Sequence, residues 1–109
     1  MRTLKFIVDK QTIKPDPNCD FTGLVPGTED YLQAEFIFSS EWAGRAKVAA
    51  FYSVMGKEFE PQRLLDGKTC KIPAEALKRR YFQMQILGKQ GKSTIPTNKI
   101  TISQNGDGV

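Results

Sequence analysis

Short runs in which apolar and polar residues alternate recur along this chain, and a period of two is that of a β-strand, whose side chains point to opposite faces in turn. In Tyr31–Phe38, Leu32, Ala34, Phe36 and Phe38 share one face while Gln33, Glu35 and Ile37 share the other. In Lys47–Tyr52, Val48, Ala50 and Tyr52 lie on one face and Ala49 and Phe51 on the other. Both faces of this second run are apolar, which suits a central strand covered on both sides. The intervening Ser39-Ser40-Glu41-Trp42-Ala43-Gly44 is too long for a two-residue hairpin and has one glycine to take a positive φ. The pair therefore predicts a β-hairpin or corner at the centre of an all-β domain.

The same pattern predicts a first strand over residues 3–8, with Leu4, Phe6 and Val8 on its inner face, and one over 81–87, with Phe82, Met84 and Ile86 inward. A short strand over 69–72 follows the turn signal Asp66-Gly67, and a last strand over 99–103 sets Ile100 and Ile102 inward. Residues 14–30 hold three prolines with Asp, Asn and Gly, which predicts a long, partly extended connection. Pro73 to Arg80 is the one helical segment, of two turns at most, with a proline at its start and three cations at its end. Gly88-Lys89-Gln90-Gly91 predicts a turn.

Seven or eight short strands about ten residues apart, with one short helical turn, point to a single immunoglobulin-like β-sandwich over 1–104, a small β-barrel being the alternative. Residues 105–109 read as a flexible tail. A chain of 109 residues holds one core. With 39% hydrophobic and 26% charged residues it has a globular composition. No apolar run nears the roughly 18 residues of a membrane span. Lys5 interrupts the first apolar patch and no small-residue cleavage site follows, so no signal peptide and synthesis in the cytoplasm are expected.

The chain has no histidine, which excludes a histidine general base and an imidazole metal site. Its two cysteines, Cys19 and Cys70, are too few for a zinc site and read as reduced thiols, Cys70 as a small buried hydrophobe. Cys19 sits between Asn18 and Asp20, the opposite of the electropositive setting a nucleophilic cysteine needs. Glu58 and Glu60 share a strand face and read as a solvated surface. Gly91-Lys92-Ser93 lacks the spacing of a phosphate loop and reads as a turn between strands. The expectation is a protein that is not an enzyme, with no catalytic residue, no cofactor and no metal.

The net charge is +4. Lys78, Arg79 and Arg80, with Lys89 and Lys92 close in sequence, are candidates for a positive interface patch, against a plainer reading as helix-end charge and solubility. Aromatic residues do not interleave with these cations, so nucleic acid is not the expected partner. Trp42 reads either as a buried corner anchor or as an exposed interface residue.

Several segments together resemble a family. Glu41-Trp42-x-Gly44, then Lys47-x-Ala49-x-Phe51, then Cys70-x-Ile72-Pro73-x-Glu75-x-Leu77, an aromatic strand ending at Gly88, and a final strand announced by Thr97 look like the small all-β structural proteins of tailed phages and prophages. The resemblance covers about residues 31–104. It implies a virion protein, found either as a head decoration or fibre component or near the tail and baseplate. Because the sequence ends soon after its last strand, a free-standing decoration, adaptor or tail-associated subunit is expected. Its partners would be capsid or tail subunits in a multi-copy or homo-oligomeric assembly, with no membrane involved. The alternative, from another class, is a small phage-encoded inhibitor that binds a host defence protein.

Overall fold

The apolar faces read from the sequence become the inside of a sandwich in the computed structural model, which describes residues 1–104. The tail expected over 105–109 lies outside the described residues. One sheet contains β1 (Arg2–Asp9), β2 (Thr12–Pro15), β3 (Leu32–Phe38) and β6 (Thr69–Lys71) in the order β2-β1-β3-β6. The second contains β4 (Ala46–Tyr52), β5 (Gln62–Arg63), β7 (Tyr81–Gln90), β8 (Ser93–Pro96) and β9 (Ile100–Ser103). Its order is β5-β4-β7, with β8 and β9 both pairing with β7. Neither sheet closes into a barrel.

Leu4, Phe6 and Val8 of β1 and Leu32, Ala34 and Phe36 of β3 are buried, as are Ala49 and Phe51 of β4, Phe82, Met84 and Ile86 of β7, and Ile102 of β9. Phe6 stacks on Phe36 with ring centroids 5.5 Å apart, and Phe51 lies 6.3 Å from Phe82. Each such ring contributes about 1.5–3 kcal/mol when it leaves water, so the core rests on positions that alternation alone marks.

The run around Trp42 is a corner and not a hairpin. β3 belongs to the first sheet and β4 to the second, and a 3-10 turn at Ser40–Trp42 carries the chain between them. β3 pairs instead with β1, in parallel, from Arg2 against Leu32 to Val8 against Phe38. A parallel pair needs a long return path. The Pro-rich segment supplies it and is pinned along the way: the Asp16 N–H donates to the Lys5 carbonyl, and Arg2 donates to the carbonyls of Asp20 and Thr22. Phe21 meets Phe6 edge-on at 5.4 Å.

Three strands exceed the sequence expectation, the two-residue β5 and the longer β2 and β8. β2 and β8 each end in a proline and lie at a sheet edge, where a missing N–H costs no ladder bond. The Asp66-Gly67 turn joins β5 of one sheet to β6 of the other, so it too makes a crossover. The helical segment shrinks to a 3-10 turn at Ala76–Lys78 that buries Ala76 and Leu77. β7 runs on through Gly88 to Gln90, which moves its turn to Gly91-Lys92.

β7 changes partner along its length, pairing with β9 from Tyr81 to Met84 and with β8 from Leu87 to Gln90. Buried Thr97 fills the gap. Its Oγ1 accepts from the Ile86 N–H at 3.0 Å and donates to the Asn98 carbonyl at 2.8 Å, while its own N–H donates to the Ile86 carbonyl at 2.9 Å. The backbone polar groups of Ile86 are thus satisfied where neither strand reaches them.

Candidate functional site

Of the two readings of Trp42, the structure has the buried corner anchor: the indole is fully enclosed. Its Nε1–H donates to the Lys10 carbonyl at 2.7 Å, which ties the corner to the turn between β1 and β2. Gly44 takes the positive φ expected of it, 75°, and turns the chain into Arg45. The Arg45 guanidinium then donates to the carbonyls of Glu41, Gly88 and Ser93 and to the Ser93 hydroxyl. Residues 41–45 therefore clamp the corner onto the hairpin of β7 and β8.

The five candidate cations do not form one patch. Lys78, Arg79 and Arg80 are exposed before the start of β7, whereas Lys89 and Lys92 are exposed at its far end. Nine residues of extended strand hold Arg80 and Lys89 about 30 Å apart. That separation is several screening lengths at physiological salt, so the two groups act as independent charges. Sequence proximity misleads here because a strand is the longest path a given number of residues can take.

Lys89 instead belongs to a different surface. The outward face of the β5-β4-β7 sheet carries a groove of about 560 Å³. The register builds it row by row. Val48 lies between Arg63 of β5 and Leu87 of β7, and Ala46 of the next row pairs with Lys89. Pro61 and Leu65 stand at its side, Leu65 being 89% exposed. Glu58 is the one carboxylate in the lining. Lys47 also borders it, but its ammonium donates to the Arg45 carbonyl at 3.1 Å and sits 5.2 Å from the Phe38 ring centroid. The side chains of Arg63 and Lys89 make no ion pair or hydrogen bond among the described residues.

The apolar residues on both faces of β4 predict a strand covered on both sides. Ala50 is indeed buried, but Val48 is only half-buried, because the segment from Glu58 to Leu65 covers this face in part. Farther along β4, outside the lining, the Tyr52 hydroxyl donates to Gln85 Oε1 at 3.0 Å, and burial, then the Glu58 charge, raises its pKa. Arg63 carried no sequence signal, since a two-residue strand has no period to read. The apolar outer positions Val48 and Ala50 were the visible hint.

The residues weighed for chemistry lie apart. Cys70 is buried and Cys19 half-buried, both as free thiols. Burial, reinforced by the Asp66 charge, pushes the Cys70 thiol up to about 12, which keeps it protonated. Cys19 Sγ accepts from the Lys5 N–H at 3.3 Å. Lys92 is in the turn between β7 and β8 with Ser93 opening β8, so the Gly-Lys-Ser sequence spans a hairpin. Glu58 bridges to Tyr52, while Glu60 lies outside any strand. Among the described residues no group of three or more Cys, Asp or Glu is placed to hold a metal ion, and no helix is long and apolar enough to cross a membrane. Comparison with protein-family models, curated proteins and solved structures found no match.

Proposed function

We propose that this chain is a non-enzymatic subunit of a tailed-phage particle that binds neighbouring capsid or tail proteins, in several copies, as a decoration, adaptor or tail-associated component. The groove on the β5-β4-β7 sheet supports the binding role most directly. It is an aliphatic surface outside the core, flanked by cations without partners among the described residues. Such a surface is what a protein interface uses: an apolar centre with charged residues at the rim. The motif resemblance supports the virion provenance, and the clamped corner supports a rigid module that presents one face.

Quantitative mass spectrometry of purified particles tests this reading. The expected result is peptides of this chain at a fixed ratio to a capsid or tail protein. Its absence from particles, with a host defence protein as its main pull-down partner, would replace the virion role with the inhibitor role.

A further inference from the structure

We infer that the groove over Ala46, Val48 and Leu87 binds a short acidic and aliphatic segment of a partner protein. The inference rests on the binding-subunit reading and names the chemistry of what is bound. The open floor consists of two cross-strand rows, at Val48 and Ala46, with buried Ala50 closing one end. Rows on one face repeat every ~6.6 Å, so the two rows match alternate side chains of one short extended segment.

Charge selects among the occupants such a floor would take. Arg63 flanks the Val48 row and Lys89 the Ala46 row, on opposite sides of β4. Glu58 is the single opposing charge in the lining. A second copy docked face to face would bring the Arg63 and Lys89 of both copies into one contact with only their two Glu58 carboxylates, an excess of like charge that disfavours it. The lining has no aromatic ring for bases to stack on, which disfavours single-stranded nucleic acid. A peptide with aliphatic side chains for Val48 and Leu87 and carboxylates for Arg63 and Lys89 satisfies both features at once.

Fluorescence anisotropy with a labelled hexapeptide of alternating glutamate and leucine, and a second of alternating lysine and leucine, provides the test. The acidic peptide should bind saturably, more weakly as salt rises, and at least tenfold more weakly to the R63E/K89E protein. Both side chains are exposed, so circular dichroism should show the variant folded; the R63Q/K89Q protein serves as a milder second variant and should lose affinity to a lesser degree. Failure of the acidic peptide to bind at about 1 mM, equal binding of the lysine peptide, or unchanged affinity in both variants would overturn the inference. So would preference for a single-stranded oligonucleotide, or a dimer in sedimentation that excludes the peptide. Particles separate this inference from the reading beneath it. Normal incorporation of R63E/K89E refutes the groove and leaves the virion role standing, whereas absence of the unmodified protein refutes the virion role and leaves the peptide result intact.

Discussion

Gly88 lies so close beneath Trp42 that a Cβ there would come within 2.6 Å of the indole Cζ3 and within 2.7 Å of Cε3. The same Cβ would lie 3.2 Å from the Arg45 side chain. The indole cannot retreat, being fully buried and held by its bond to Lys10. G88A should therefore cost about 1–3 kcal/mol or more by overpacking, although its backbone is one that alanine tolerates. Urea unfolding followed by the single tryptophan's fluorescence measures this; an unchanged midpoint would show that the contact relaxes freely.

Removing the ring should have the opposite relation to Gly88. W42A leaves a large cavity and an unpaired Lys10 carbonyl, and should cost about 3–5 kcal/mol. In that background the added methyl of G88A enters vacated space, so its cost should fall near zero. The two substitutions then fail to add, with a coupling of about 1–3 kcal/mol. Circular dichroism reads the cycle, since the fluorophore is gone in two of its corners. Additive costs would mean that the indole and Gly88 do not restrict each other.

Thr97 offers a test by an isosteric change. T97V keeps the shape but leaves the buried Ile86 N–H without the Oγ1 acceptor. An orphaned buried donor costs about 1–3 kcal/mol. Hydrogen exchange should show the Ile86 amide losing protection before the rest of β7, which distinguishes a local defect at the partner switch from general loosening. Uniform loss along the strand would contradict it.

These three residues also show what was legible in the sequence. Period-two alternation is a local property, so the inner faces of β1, β3 and β7 could be read directly. Pairing is not local. The residues between Phe38 and Ala46 allow a hairpin as well as a corner, and the parallel partner of β3 lies far upstream, at β1. Trp42, Gly88 and Thr97 all stood out as motif positions, yet their meaning lies in contacts across the fold. The candidate cations failed as a cluster for the same reason: an extended strand carried Lys89 away from Arg80 and set it, with Arg63, beside an apolar floor. That groove is assembled from three strands, and its row order exists only once register is fixed.

Cys70 gives the stability a signature at alkaline pH. Its thiol is raised from an ordinary value of 9.0 to about 12, first by burial and then by the Asp66 charge. The folded state therefore retains a proton that the unfolded chain releases. The resulting stabilisation is fully present below pH 9 and is lost as pH rises from about 9 toward 12, at no more than ~1.4 kcal/mol per pH unit. Tyr52, also raised, acts in the same direction at higher pH. Comparing the unmodified protein with C70A isolates the thiol: unfolding midpoints should converge as pH climbs above 9, because only the unmodified chain loses this term. Parallel curves would show that Cys70 ionises in the folded state as readily as in the unfolded one.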